Sequence, residues 1–525
     1  MRTFVKGTIL LACVILLSKL FGFIYRMQFM RIAGPDVVGI YMTTYPAFIF
    51  FISLAQIGLP LAVTKLVAAY FAAGQIQKVQ LVLKKALRIN FLLLLLFMPL
   101  FIWLAPFIAN KLLHNEAAVY PLLVSIVAIP FVIFSGLIKA YLQGIEKISV
   151  TAWTLFFEQV IRIVCISLLF PIIIAEPPAI AAAQAMGITA LAELLAALFI
   201  WPFYVREKRK LLQSRNYKDR SNFQQRKLLD AKVEADAHFT TSIVSTSQLF
   251  HIAIPTAGGK LFGTFTWFLE PIVFLLALGN AGLTAAMATS LYGILSGVHI
   301  PLLLFPAFIP AALSIVLVPA ISSALARKHY ATINQWIAIA VRVSALIGCY
   351  AATVFFLYGD VLAEQLFHVE NTYHFMQLLA PIFFFYYVQS PLMSILQAMD
   401  GAKVAMWNSI YGGIGKLLCM FGLASLPAVA MNGAIIAIGF GVLITTFLHM
   451  FSLKAVEQIK MPFNSLFMPY ICFLIAIFIP TIEASTVYIE MAITIGILTA
   501  LLLVTKQIKW RDFQMLVQTI AKKRS

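Results

Sequence analysis

The sequence predicts an all-α polytopic membrane protein of about fourteen transmembrane helices, built as two pseudo-symmetric six-helix lobes plus two C-terminal helices. Three observations predict it. Of 525 residues, 62% are hydrophobic and 11% charged, against roughly 25% charged in a soluble domain. The apolar runs are about twenty residues long and lack period-two alternation, which selects helices over a barrel. Lipid permits only those two architectures, because spanning backbone must satisfy its own hydrogen bonds. The third observation is an internal repeat.

The first predicted helix, 5–32, opens like a signal peptide, with Arg2 and Lys6 before an apolar run from Gly7 to Leu17. Lys19 and Arg26 follow it and no small-x-small cleavage site does, so it reads as an uncleaved span. The second, 38–72, is too long for a straight span and carries Pro46 and Pro60. Apolar runs then predict helices at 89–112, 118–142, 150–174, 179–204 and 250–278. The eighth, 290–326, is again too long and holds Pro301, Pro306, Pro310 and Pro319. Proline removes a helix hydrogen bond and clashes with the preceding turn, so bends are expected, with hinges at Gly58, Pro60 and Pro319. The rest are predicted at 335–358, 373–398, 404–427, 431–453, 464–482 and 487–505.

Charge sets the orientation. Lys78, Lys84, Lys85 and Arg88 fall between helices 2 and 3, ten Lys or Arg between helices 6 and 7, Lys454 and Lys460 after helix 12, and six more after helix 14. The intervening loops carry almost none, Lys111 being the main exception. The positive-inside rule makes the basic loops and both termini cytoplasmic, in a cell membrane. It also explains the net charge of +18 without nucleic acid. Cys13, Cys165, Cys349, Cys419 and Cys472 all lie in apolar runs and form no CxxC pair, so neither a disulfide framework nor a zinc site is supported.

At an offset of 254 residues, Leu142-Gln143 matches Leu396-Gln397, Glu146 matches Asp400, Trp153 matches Trp407, Arg162 matches Lys416 and Cys165 matches Cys419. At an offset of 241, Lys19 to Gly22 matches Lys260 to Gly263. Six spans per unit make this a parallel repeat. The expected organisation is an N-terminal lobe (1–204), a basic linker (205–249), a C-terminal lobe (250–459), two extra helices (460–505) and a basic tail (506–525).

Lys19, Arg26, Arg162, Lys260 and Lys416 fall well inside predicted spans. At mid-bilayer each costs roughly 2.5 to 3.5 kcal/mol, on the order of 12 to 17 for all five, so they should face a cavity or a partner. Lys19 and Arg26 are seven residues apart and share a helix face. Glu158 and Arg162 are four apart and can pair. Glu193 and Glu270 are the other buried acids, available for charge pairing or for coupling to a proton or cation. Lys65 and Lys139 lie near cytoplasmic helix ends, where a lysine can snorkel to water. Cations outnumber acids, so the interior should attract anions. Walker, HExxH, GxSxG and acidic metal motifs are all missing from the sequence, which points to transport rather than catalysis.

Ser18 to Arg26, Gly39-Ile40-Tyr41, Gly58-Leu59-Pro60 with Lys65, Leu142-Gln143-Gly144 and Glu158 to Arg162 together resemble polysaccharide-exporter-type flippases. The family is the multidrug/oligosaccharidyl-lipid/polysaccharide (MOP) exporter superfamily, in its stage V sporulation protein B-like and MurJ-like branch. The resemblance covers nearly the whole chain. It implies two lobes around a cavity that opens alternately to each side. The implied cargo is a lipid-linked, pyrophosphate-bearing precursor for peptidoglycan, here of the spore cortex, and helices 13 and 14 would line a groove for its polyprenyl tail. Family cavity cations map onto Lys19, Arg26 and Lys65. The sequence departs from the MurJ pattern in helix 8, which has no Arg or Lys before Arg327, and in helix 11, which lacks the acid of a sodium site shared with helix 7.

The expected binding set is therefore Lys19, Arg26, Lys65, Arg162, Lys260 and Lys416. No cofactor or metal is expected. Coupling is expected to H+, Na+ or the membrane potential, and the partners are the lipid-linked oligosaccharide, membrane lipids and cell-wall or sporulation synthesis proteins. The alternatives are a flippase for another undecaprenyl-linked saccharide and a cation-coupled drug exporter, whose usual cationic cargo a basic interior disfavours. A membrane glycosyltransferase would need an acidic motif in a sizeable external loop, and these loops are short.

Overall fold

The computed structural model describes residues 2–213, 245–369, 374–479 and 486–508. Most of the basic linker and all of the tail beyond residue 508 therefore lie outside the described residues. Arg2–Gln56 is one helical run broken at Gly34, whose φ of 74° only glycine adopts without strain. Residues 2–33 form α1, and residues 35–56 with Leu59–Ala72 form α2. Then follow α3 (Ile76–Phe107), α4 (Val119–Gly144), α5 (Ile148–Val164, continued to Ile173 through a π-helical turn), α6 (Pro178–Gln213) and α7 (Thr246–Asn280). The remainder are α8 (Ala285–Ala326, interrupted), α9 (Tyr330–Phe367), α10 (Phe375–Ala398), α11 (Ala402–Ala424), α12 (Ala430–Lys454), α13 (Phe463–Phe478) and α14 (Val487–Val504).

Among the described residues, eleven helices are long and apolar enough to cross a membrane. One of them, Leu16–Gln56, holds both α1 and the start of α2, and α11 and α13 complete the set. Lipid is the fitting solvent for the outer surface: on α3, Leu92, Leu96 and Trp103 are 65%, 65% and 71% exposed. Several helices outrun the predicted spans. α3 starts thirteen residues early because Val79, Val82, Leu83 and Ala86 bury one face, while Lys84 and Arg88 point to solvent. α6 continues to Gln213, supported by a Glu207–Lys210 pair at i,i+3.

The repeat is written in backbone hydrogen bonds. α4 ends at Glu146 (φ 63°) with Lys147 N–H donating to Leu142 O at 2.8 Å. α10 ends at Asp400 (φ 63°) with Gly401 N–H donating to Leu396 O at 2.9 Å. Likewise Gln75 N–H caps Tyr70 O beside Gly74, and His329 N–H caps Ala324 O beside Lys328, again 254 residues apart. These are left-handed helix stops of one type. Neighbours match as well: α5 packs on α1 and α6, and α11 packs on α7 and α12. α13 lies outside both bundles, against α9 and α14.

Helix breaks occur in corresponding places. α2 breaks at Ile57 and Gly58 (φ 40° and 67°), just before Pro60. Asn90 of α3 donates to the freed Ala55 carbonyl at 2.6 Å. α8 is interrupted by a π turn at Leu295–His299 and a 3-10 turn at Phe305–Ala307. Pro319, expected to bend this helix, instead lies within the unbroken stretch Phe308–Ala326. The interruption falls where Pro301, Pro306 and Pro310 remove three amide donors within ten residues, whereas Pro319 removes one.

Candidate functional site

Two adjoining cavities lie between the bundles. The larger, about 1220 Å³, is walled by α7, α8, α10, α11 and α12, with Pro46 of α2 and Arg26 of α1. The smaller, about 530 Å³, lies between α1 and α8 and reaches Gln159 and Arg162 of α5. Arg26, Met42, Tyr45, Leu304 and Tyr386 border both. The larger cavity extends to Gln397, Ala402 and Lys403, at the turn between α10 and α11 on the face that carries the basic loops. Among the described residues, none in the opposite-face turns lines either cavity.

The opposite face is shut by backbone packing. A Cβ on Gly39 of α2 would fall 2.2 Å from Thr289 O of α8, and one on Gly293 would fall 2.5 Å from Gly39 N. Only glycine lets two helices approach this closely. Asn115 Nδ2 also donates to Thr289 Oγ1 at 3.0 Å. Arg31, at the end of α1, donates to the last carbonyls of α9, Leu366 O at 2.6 Å and Gln365 O at 2.8 Å. A guanidinium there satisfies orphan carbonyls at the negative end of the helix dipole.

The expected site residues divide into three groups. Lys19 and Arg26 both line the smaller cavity, as their shared face requires. Among the described residues no carboxylate pairs with either. Arg26 Nη1 donates to Ser296 O, at a long 3.4 Å. Lys260 lines the larger cavity and is exposed there, again without a carboxylate partner among the described residues. Arg162 and Lys416 sit at the cavity walls but are already neutralised. Arg162 Nη2 lies 2.7 Å from Glu193 Oε1 and 3.0 Å from Glu158 Oε1, and Lys416 pairs with Glu270 across α11 and α7. Lys65 is exposed and lines neither cavity.

Lys139 departs from its expected snorkelling. Its Nζ lies 3.3 Å from Glu158 Oε2 with the side chain only 14% exposed, completing a quartet of two acids and two cations across α4, α5 and α6. Turned inward, its ammonium meets a carboxylate instead of water. Truncating one member leaves the others buried and unbalanced, which costs roughly 3 to 5 kcal/mol. Glu158→Ala is therefore expected to melt well below wild type in detergent, with Glu158→Gln between them. Equal melting of Glu158→Ala and wild type would show that the quartet contributes nothing.

Two functional candidates escaped the sequence. Lys403 lines the mouth of the larger cavity. In sequence it is one more lysine at a basic-side helix end, indistinguishable from the positive-inside signal. Arg31 looks like an interfacial residue until α9 is placed beside it.

Comparison with known proteins bears on this arrangement. A family model described as polysaccharide biosynthesis protein matches residues 4–325. The chain is 32% identical over 463 residues to stage V sporulation protein B of Bacillus subtilis (strain 168), covering 87% of this chain and 85% of that one. Among solved structures it resembles the lipid II flippase MurJ in an inward closed conformation, with a TM-score of 0.66 at 13% identity, over 96% of this chain and 99% of that one. It also resembles an inward-facing multidrug resistance MATE family transporter of the MOP superfamily, with a TM-score of 0.65 at 12% identity, over 84% of this chain and 96% of that one.

Proposed function

Because the chain belongs to the polysaccharide biosynthesis protein family of the MOP exporter superfamily, we propose that it is a flippase for a lipid-linked, pyrophosphate-bearing cell-wall precursor of the lipid II type. The observation that carries this reading is the pair Lys19 and Arg26, without a carboxylate partner among the described residues, facing the smaller cavity, with Arg26 also bordering the larger cavity that reaches the basic face. Concentrated phosphate charge in a low-dielectric cavity calls for Arg and Lys donors. The smaller cavity suits the rest of such a molecule. Its walls on α1 and α8 are Leu16, Leu17, Leu20, Leu304, Phe305 and Phe308, so a lipid tail can stay in the bilayer while the head enters. A shallow apolar pocket of about 430 Å³ around Ile471, Leu474 and Phe478 on α13 offers the tail a further resting place. The 32% identity to a sporulation protein favours spore-cortex precursor over other polyprenyl-linked saccharides.

The test is reconstitution in liposomes with labelled lipid II and with a second polyprenyl-linked saccharide, each under a H+ gradient, a Na+ gradient and an imposed potential. Movement of neither lipid under any condition sinks the reading. Movement of the second lipid alone transfers the assignment to that cargo.

The basic face is cytoplasmic in this reading, as the loop charges require. In a cysteine-free background, an impermeant thiol reagent added to intact cells should label Ala281→Cys, between α7 and α8, and miss Ala73→Cys, between α2 and α3. The reverse pattern would invert the topology and place the cavity mouth outside.

A further inference from the structure

The larger cavity holds two lysines that the quartet and the Lys416–Glu270 pair leave out, and their placement is fixed by how α7 and α11 meet. A Cβ on Gly259 of α7 would lie 3.0 Å from Met406 Sδ of α11, and one on Gly413 of α11 would lie 2.7 Å from Thr266 Cγ2 of α7. Glu270 then pairs with Lys416. These three contacts put the helices in one parallel register, each α7 residue facing the α11 residue about 147 positions later. In that register Lys260 and Lys403 stand about one helical turn apart, both exposed and both lining the cavity. Lys403 is 13 residues from Lys416, roughly 20 Å along the helix. That is longer than a pyrophosphate, so Lys403 and Lys416 stand at different depths of the cavity. Asp400, the nearest acid in sequence, lines no part of the cavity and pairs with neither lysine among the described residues.

We propose that Lys260 and Lys403 form a capture station for pyrophosphate at the cavity mouth, separate from the deeper position at Arg26. This rests on the flippase reading for its cargo but not for its chemistry. The station holds the head group while the tail is still outside the α1–α8 opening, and hands it inward as the charges of Lys19 and Arg26 take over. Exposed charges attract at longer range and are screened by salt, whereas the half-buried Arg26 is screened less. Capture should therefore weaken steeply with ionic strength.

The experiment uses the full chain in nanodiscs of neutral lipid and two probes, inorganic pyrophosphate and a short-chain polyprenyl pyrophosphate. Lys260→Gln/Lys403→Gln should bind both about tenfold more weakly and with a shallower salt dependence, while Lys260→Arg/Lys403→Arg should bind like wild type. In liposomes the Gln pair should raise the half-saturating cargo concentration about tenfold, a larger change than in the maximal rate. Arg26→Gln should do the opposite. Unchanged affinity of the Gln pair for both probes overturns the station. So does a loss confined to inorganic pyrophosphate, which would make the lysines a free-phosphate site with no part in cargo entry. A wild type that binds both probes through these lysines yet flips no lipid-linked precursor sinks the flippase reading and leaves the station standing.

Discussion

Arg26→Ala is expected to abolish flipping while leaving membrane abundance near normal. Arg26 borders both cavities, so any head group passing between the α1–α8 opening and the main cavity meets it. The one intramolecular hydrogen bond it makes among the described residues is long, which leaves most of the guanidinium's five donors for the cargo. A hydrogen bond to a charged group contributes about 1.5 to 3 kcal/mol, and about 1.4 kcal/mol is a factor of ten. Losing a two-bond grip should therefore lower transport by roughly a hundredfold or more. Arg26→Lys keeps the charge but loses the fork and should recover only part of the rate. Lys84→Ala, on the exposed face of α3, is the control and should behave as wild type. Wild-type flipping by Arg26→Ala at normal abundance would remove the cavity assignment. Disappearance of the variant from the membrane would show that Arg26 is needed for folding.

Gly39→Val should hold the protein open on its other side. The contact it disturbs is backbone on backbone, Gly39 against Thr289 O and Gly293 against Gly39 N and Pro35 O, so no side chain can rotate away to admit the new atoms. Overpacking typically costs about 1 to 3 kcal/mol. Here it falls only on the state in which α2 and α8 touch. A penalty on one state shifts the population by the same free energy, about ten- to a hundredfold towards the state in which the helices separate. The readout is Ser296→Cys, on the cavity wall beside Arg26. It should become reactive to an impermeant thiol reagent applied from outside in the Gly39→Val background and stay protected in the Gly39 background. Transport should fall with it, because a carrier held open to one side cannot complete the cycle. Unaltered labelling and unaltered transport together would mean that the α2–α8 seam is not the gate.

Much of the architecture is legible in the sequence because lipid imposes a simple rule. An apolar run long enough to span must be a helix, and its ends are marked by charge. The repeat is legible for a different reason: tryptophan and lysine are rare in apolar spans, so Trp153 with Trp407 and Arg162 with Lys416 stand out. The partners of the buried charges are not legible. Glu158–Arg162 is local and follows from spacing, but Glu270 and Lys416 are 146 residues apart and meet only because α7 and α11 run in register. Lys139 reads as a snorkelling lysine for the same reason, since nothing local says that α4 turns it towards Glu158. Lys65 shows the converse: the resemblance puts it with the cavity cations, yet the α2 break leaves it on an exposed face. The α8 interruption follows the proline cluster Pro301, Pro306 and Pro310, whereas the hinge expected at Pro319 does not form, because a single proline is absorbed within the helix Phe308–Ala326.

The matched stops at Glu146 and Asp400 bear on how such a chain could arise. Different residues make the same hydrogen-bonded turn 254 positions apart, so backbone geometry has outlasted side-chain identity. The unit that carries the turn has six spans and returns to the face from which it started. A gene copy of it, joined end to end, would enter the bilayer in the orientation of the original with no change to its loop charges. A unit with an odd number of spans would have needed its charge bias rewritten before the second copy could insert. Duplication of an even-numbered half thus yields a two-lobed cavity in one genetic step, and divergence then has only to neutralise one cation through α5 and α6 and the other through α7.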